Sequence, residues 1–235
     1  MKLSIIIPVF NEEKTLELLL NKVFQVKLPQ HINKEIIVID DGSDDSTGKI
    51  LVKHKKKIKI SKHKKNLGKG AAIRTGLELA TGDFLIIQDA DLEYNPQDYL
   101  RLLIPMISKK HLVVYGTRLK NYPLVLRGKN KTPIPTHWLG NKFLTLLTNI
   151  LYGSSITDME TGYKLFRKEV IEQINLKSNR FEIEPEITAK ILKKGHFIKE
   201  IPIKVSPRTH QEGKKISWRD GISAAVALIK YRFVD

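Results

Sequence analysis

Residues 82–96 read GDFLIIQDADLEYNP. Residues 83–89 are an apolar run of strand length, Asp89-Ala90-Asp91 follows at once as an acidic turn, and Pro96 stands where a helix begins, its missing N–H costing nothing in a first turn. The same succession recurs on both sides. Upstream come an apolar run at 3–9 and a helical stretch over 11–23 with Leu16, Leu19, Leu20 and Val23 on one face. A strand at 35–40, a helix opened by Asp44 and Ser46, a short strand at 58–61 and a helix over 70–80 follow. Asn11 is placed to cap the first helix, with Glu12 and Glu13 in its first turn. Downstream lies a fifth strand, 112–117. Strands alternating with helices predict parallel βαβ units, and strands apolar on both faces predict a sheet covered on both sides, an α/β fold. Ligands of such sheets bind outside the carboxyl ends of the strands. The residues to examine are therefore 8–12, Asp40-Asp41, 89–91 and 116–118.

Beyond residue 120 the pattern changes. Residues 121–135 form a loop rich in proline and basic side chains. A helix over 137–152 is amphipathic, with Leu139, Phe143, Leu146, Leu147, Ile150 and Leu151 on one face and Asn141, Lys142, Thr145 and Asn149 opposite. A helix within 180–194 and a strand at 197–205 follow. A last amphipathic helix, 217–233, carries the stripe Trp218, Ile222, Ala225, Val226, Ile229 and Phe233.

The chain has 235 residues, a length that suits one large domain, and its 41% hydrophobic and 28% charged residues are a globular composition. The absence of cysteine excludes disulfides, thiolate metal sites and cysteine nucleophiles. No apolar run reaches the roughly 18 residues that span a bilayer as a helix. The start, MKLSIIIPVFNEE, is basic then apolar like a signal peptide, but Pro8 and the acids behind it favour a buried strand and a chain kept in the cytoplasm. With 41 Lys+Arg against 25 Asp+Glu, the formal net charge of +16 predicts attraction to nucleic acid, anionic lipid or phosphorylated substrates. Aromatic residues are 7% of the chain and are not interleaved with the basic run at 53–65, which argues against a nucleic-acid partner.

Three motifs carry chemistry. Asp89 and Asp91 lie one residue apart on a turn, where crowded carboxylates repel unless a hard cation such as Mg²⁺ or Mn²⁺ relieves them, and Glu93 is a further ligand candidate. Asp40 and Asp41 end a strand and can accept hydrogen bonds from a ribose or base, with Gly42 permitting a tight turn. Asn66-Leu67-Gly68-Lys69-Gly70 opens a helix, where amide groups and the Lys69 ammonium suit a phosphate. Each motif alone also fits an ordinary turn or helix entry.

Together, in this order and spacing, IIIPVFNEE, VIDDGSDDST, NLGKGAAIRTG, GDFLIIQDADLEYNP and VVYGTR resemble the family 2 glycosyltransferases of the GT-A fold. The later pieces LGNKFLTLLTNILYG, DMETGYKLFR, FEIEPEITAKILKKG and IPIKVSPRTHQEGKKISWRDG are similar to the polyprenyl-phosphate branch, the relatives of dolichol-phosphate mannose synthase. The resemblance implies a mainly parallel sheet flanked by helices, with a nucleotide-sugar half (1–120) and an acceptor half (121–235). It implies that Pro8, Asn11 and Glu12 line the nucleotide pocket, that Asp40 and Asp41 read base and ribose, and that Asp89 and Asp91 hold the metal, assisted by Glu93. It places Arg118 at the acceptor phosphate, and Asp158, Glu160, Thr161 and Lys164 on the catalytic floor. Arg208, with Lys214 and Lys215, would clamp the phosphates. The basic acceptor segment reads Arg127-Gly128-Lys129-Asn130-Lys131, and Lys131 and His137 join Arg118 as acceptor-phosphate candidates.

The expected reaction is an inverting, metal-dependent transfer of a hexose from a nucleotide-diphosphate sugar to a polyprenyl phosphate. Trp138 and Trp218, beside Lys142 and Arg219, suit peripheral contact with a membrane surface at its cytoplasmic face, and a separate membrane-protein partner is an option. The competing expectation is transfer to a saccharide hydroxyl, which needs a general base, with Asp158 or Glu160 nearest to that role.

Overall fold

A computed structural model describes residues 1–108, 110–119, 135–206 and 218–234. The first half builds β1 (Lys2–Val9), α1 (Leu16–Gln25), β2 (Asn33–Asp40), α2 (Thr47–His54), β3 (Lys59–Lys62), α3 (Lys69–Leu79), β4 (Phe84–Ile87), α4 (Tyr99–Ile107) and β5 (Val113–Thr117). The second adds α5 (Pro135–Tyr152), β6 (Lys164–Arg167), α6 (Lys168–Ile171), α7 (Ile183–Lys193), β7 (Ile198–Pro202) and α8 (Trp218–Phe233). Pro96 does open a helical turn, whose Asn95 side chain caps the amide of Gln97.

One seven-stranded sheet runs in the order β3-β2-β1-β4-β6-β5-β7. β1, β2, β3 and β4 are mutually parallel, as are β5 and β7, while β6 is antiparallel to both its neighbours, β4 and β5. Two reversals restore the direction, so the carboxyl ends of β1, β2, β4 and β5 share one edge. Alternate side chains enter different layers, as strand geometry requires. Leu3, Ile5 and Ile7 pack with Leu16, Leu19, Leu20 and Val23 of α1 and with Leu102, Leu103 and Met106 of α4. Ile6 and Ile37 join Ile73 of α3, Ile187 of α7 and Leu228 of α8 on the other face. α5 and α8 pack on each other and on α7, outside that second layer.

The structure corrects two local expectations. α1 begins at Leu16, so Glu12 and Glu13 precede it. Asn11 caps no helix: it adopts φ 54, and its side chain exchanges hydrogen bonds with Asp44, donating from Nδ2 (2.6 Å) and accepting from the Asp44 amide (3.1 Å). It ties the loop after β1 to the loop after β2. β6 escapes the sequence reading altogether, because KLFR holds only two apolar residues between two cations.

The two outer helices turn their apolar stripes away from the protein. In α5, Leu144, Thr145 and Thr148 are buried while Leu139, Phe143, Leu146 and Ile150 are exposed. In α8, Ala224, Ala227, Leu228 and Tyr231 face inward, while Trp218, Ile222, Val226, Ile229 and Phe233 face outward. Small and hydroxyl side chains let these helices approach their neighbours closely, and the Thr145 hydroxyl accepts from the Met159 amide (3.2 Å). Among the described residues no helix is long and apolar enough to cross a membrane.

Candidate active site

The shared carboxyl edge of the strands opens into a cavity of about 1110 Å³. Pro8 and Glu12 border it from the end of β1, Asp41 from β2, Lys69 from the start of α3, Asp89, Asp91 and Glu93 from β4, and Arg118 from β5. Glu160, Glu184 and His137 add to the lining from the second half.

The turn after β4 is anchored from below. Gln88 is fully buried; its Oε1 accepts from the hydroxyls of Tyr99 (2.6 Å) and Tyr163 (2.7 Å), and its Nε2 donates to the Asp89 carbonyl (2.8 Å). Asp91 Oδ1 accepts from the Glu93 amide, and Leu92 between them adopts φ 64. A left-handed leucine costs on the order of 1–2 kcal/mol, strain of the kind concentrated at ligand-binding turns. Gly162 lies directly behind: a Cβ there would stand 2.5 Å from Asp89 Oδ2. Its amide donates to the Tyr94 hydroxyl (2.8 Å).

The Asn66–Gly70 loop is fastened by Asp41. Asp41 accepts from the amides of Leu67 (3.0 Å) and Gly68 (2.8 Å) and pairs with His63 Nδ1 (2.6 Å), whose Nε2 reaches Thr75 (3.0 Å). The Ala71 amide goes to the Asn179 carbonyl. The Leu67 and Gly68 amides thus hold the loop itself, and the loop brings the Lys69 ammonium to the cavity. Lys69 Nζ lies 2.7 Å from Asp89 Oδ1 and 3.0 Å from Glu184 Oε1, while Glu184 Oε2 pairs with fully buried Lys164 (2.5 Å). Burial opposes the Glu184 charge, but Lys164 and Lys69 overcome it and hold the carboxyl at about 2. Burial likewise opposes the Lys69 charge, and Asp89 and Glu184 raise its pKa instead.

On the floor, two carboxylates two residues apart have opposite surroundings. Asp158 is fully buried and gripped by Arg118: Oδ2 accepts from the Arg118 amide and Nε, and Oδ1 from Nη2, each at 2.8 Å. Glu200 on β7 fixes the segment by accepting from the amides of Thr157 (2.8 Å) and Asp158 (3.0 Å). Glu160 lines the cavity with a buried Oε1 that has no hydrogen-bond partner among the described residues, and burial pushes its carboxyl up to about 7 against the pull of Lys164.

The structure places the expected residues unevenly. Pro8, Glu12, Asp41, Lys69, Asp89, Asp91, Glu93, Arg118 and Glu160 meet at one cavity. Asp40, Asn11 and Gly42 stand behind it. Asp40 accepts from the Ser43 amide (2.8 Å) and pairs with Lys62 (3.1 Å), and Gly42 turns at φ 77 where a Cβ would run into the backbone of Lys65 and Asn66. Asp158 acts through Arg118, which it holds. Arg208, Lys214, Lys215 and the basic segment with Arg127, Lys129 and Lys131 lie outside the described residues. Sequence reasoning missed Glu184, Gln88, Tyr94 and Gly162. Pro185 marks the start of α7 and Glu184 as a first-turn acid, but its lysine partners come from distant elements.

The carboxylates suit a divalent cation in one form. Asp89 Oδ1 already accepts a cation, the Lys69 ammonium, and Asp91 borders the same space. Among the described residues no three acidic or imidazole groups converge as a ready-made site. Such a donor set fits Mg²⁺ or Mn²⁺ held by one or two carboxylates and completed by substrate phosphates and water.

Comparison with known proteins agrees. The model of "Glycosyl transferase family 2" matches residues 4–174. The chain is 31% identical over 221 residues to the UDP-N-acetylglucosamine–dolichyl-phosphate N-acetylglucosaminyltransferase of Methanococcus voltae, covering 85% of this chain and 84% of that protein. It is 30% identical over 223 residues to the dolichol-phosphate mannosyltransferase of Pyrococcus furiosus, covering 91% of this chain and 59% of that protein. Among solved structures, glucosyl-3-phosphoglycerate synthase of Mycobacterium tuberculosis, crystallised with Mn²⁺, UDP and phosphoglyceric acid, superposes with a TM-score of 0.74 at 17% identity, over 100% of this chain and 79% of that one. That likeness shows the fold, the GT-A arrangement of a mostly parallel sheet between helices. The chain belongs to glycosyl transferase family 2 and is a glycosyltransferase of the hexosyl-transferring kind.

Proposed function

We propose that the chain transfers a hexose from a nucleotide-diphosphate sugar to a polyprenyl phosphate at a membrane surface. The observation that carries this reading is the two-part lining of the cavity. From Asp89, Lys69 and Arg118 it continues between α5 and α8, where Phe143, Leu144, Ile222, Val226 and Ile229 make its walls apolar. A phosphate on an apolar tail matches both parts, and the relatives named for dolichyl phosphates support the same acceptor class. The outward apolar stripes, with Lys142 over the Trp138 ring (5.6 Å) and Arg219 over the Trp218 ring (5.6 Å), suit an interfacial depth facing anionic lipid. In this reading the enzyme works from the cytoplasmic face.

Pro8, Glu12 and Asp41 border the nucleotide, with Asp40, Asn11 and Gly42 shaping the loops beneath it. Asp89 and Asp91, with Glu93 beside them, would hold a divalent cation, which when bound supplies Lewis-acid stabilisation of the leaving diphosphate. Lys69 binds the same phosphates, and Arg208 is proposed to join it. Arg118, oriented by Asp158, meets the acceptor phosphate with His137. A phosphate acceptor is already an anion near neutral pH, so a single inverting displacement needs no strong base. Glu160 in its protonated form donates a hydrogen bond to that phosphate instead of repelling it.

Glu160 also favours a second reading. A saccharide hydroxyl needs a general base with a pKa near the working pH, and Glu160 at about 7 qualifies, whereas Asp158 is committed to Arg118. The two readings predict opposite pH limbs. With a phosphate acceptor, activity falls as Glu160 ionises above about pH 7; with a hydroxyl acceptor it rises through the same range. The deciding assay incubates the protein with Mg²⁺ or Mn²⁺ and UDP- or GDP-sugars, with and without a polyprenyl phosphate, and seeks glycosylated lipid by mass spectrometry. Nucleotide release without lipid product would sink the first reading and promote the second.

A further inference from the structure

We infer that Lys69 stands in for the metal at Asp89 while the donor site is empty, so that divalent cation and nucleotide diphosphate enter as a coupled pair. The inference rests on the reading of Asp89 and Asp91 as the metal ligands.

The geometry is an unbroken run of alternating charges: Asp89, Lys69, Glu184 and Lys164, joined at 2.7, 3.0 and 2.5 Å. Lys164, the far end, is fixed. It is fully buried, donates to the Thr161 carbonyl (2.5 Å) and lies over the Tyr115 ring (5.1 Å). Asp89, the near end, is boxed in, with Lys69 on Oδ1 and the backbone of Gly162 against Oδ2. Within this run Lys69 and Lys164 offset the charges of Asp89 and Glu184, so the pull on a lone divalent cation is weakened at Asp89, beside Asp91 and Glu93. A cation arriving alone would also face the Lys69 ammonium across a partly desolvated gap, where like charges repel far more strongly than in water. A nucleotide diphosphate removes both obstacles. It brings negative charge, and it gives Lys69 other oxygens to bind.

Lys69 can make that exchange because its ammonium is a point charge on a flexible stem. Glu184 is the positioning residue. It holds the ammonium beside the site when Lys69 leaves Asp89, so that the released charge turns to the phosphates and not to solvent. The coupling is reciprocal by thermodynamic necessity: the metal must tighten nucleotide binding by the factor by which nucleotide tightens metal binding.

The test reads binding, not turnover. Mn²⁺ is titrated into the full chain by electron paramagnetic resonance, alone and with UDP or GDP, correcting for Mn²⁺ taken up by free nucleotide. In the wild type, nucleotide is expected to tighten Mn²⁺ about tenfold or more. Lys69→Met should raise nucleotide-free Mn²⁺ affinity about tenfold and shrink the coupling, whereas Lys69→Arg, which keeps the charge, should preserve it. Glu184→Gln should give no such rise, because it leaves the ammonium with Asp89 alone. A folded Lys69→Met chain with unchanged nucleotide-free Mn²⁺ affinity overturns the inference. Should that variant fail to fold, Lys69→Gln replaces it, and equal wild-type Mn²⁺ affinity with and without nucleotide overturns the inference by itself. Failure of the underlying reading looks different: Asp89→Asn and Asp91→Asn would then leave Mn²⁺ binding intact in every state.

Discussion

Glu184 and Phe143 line the same cavity under contrasting rules. Glu184 is 4% exposed and lies between two lysines, in a region where Asp158 is bound to Arg118, Asp41 to a loop, and Gln88 to two tyrosines. Phe143 is 60% exposed on a helix whose neighbours Leu139, Leu146 and Ile150 also face outward. The polar end is assembled before any ligand arrives, since each buried charge must meet its opposite within the fold. The apolar end leaves its largest side chains uncovered, which marks a surface shaped for something outside the chain. One end is preorganised for charge, and the other presents an open apolar face.

The largest test of that contrast is Asp91→Ala. It should lower transfer at least about 10²-fold by removing charge stabilisation while circular dichroism stays native; near-wild-type turnover would show that the polar end is not where charge is managed. Next, Arg118→Met leaves Asp158 buried and unpaired, and the denaturant midpoint should report a loss of about 3 kcal/mol or more. Glu160 gives a pH test. Its carboxyl is raised from 4.5 to about 7, so the folded chain keeps a proton that the unfolded chain releases. That stabilising share is complete below about pH 4.5 and fades as pH rises to about 7; Glu160→Gln should flatten the decline in unfolding midpoints over that window. At the apolar end, Phe143→Ser removes one side-chain contact, and KM for a long-chain polyprenyl phosphate should rise about tenfold with little change for a short one. Equal effects on both chain lengths would refute the groove as a tail site. The smallest effect belongs to Lys168→Ala. Lys168 meets Glu172 one helical turn on at 3.7 Å, with both side chains open to solvent, and its loss should cost no more than about 1 kcal/mol on thermal unfolding.

The strands β1, β2, β4 and β5 were legible because each is an apolar run too short for a helix, and the acidic turns behind them could be placed at one edge by topology alone. Three features were not legible. β6 has no apolar pattern of its own and becomes a strand only because β4 and β5 leave a gap for it. Periodicity located the stripes of α5 and α8 but could not say which side met the protein; Thr145, Thr148 and Ala224 turned out to be the packing faces. The division of labour among the acids was hidden too. Asp158 and Glu160 look alike in DMETGYK, and only the reach of Arg118 to one and the burial of the other separate them.

The place of β6 also has a consequence for the order in which a nascent chain can fold. β1 to β4 can pair among themselves as they leave the ribosome, with one edge of β4 left for β6. β5 cannot: both its neighbours, β6 and β7, are made after it, and β6 begins only at Lys164. The strand is apolar and buried in the finished protein, so until then its edges must wait unpaired, a state open to wrong partners. The segment that delivers β6 is the one carrying Asp158, Glu160 and Gly162. Closing the sheet and bringing Asp158, Glu160 and Gly162 against the turn after β4 are therefore a single event, which Lys69, Asp89 and Asp91 in the first half must await.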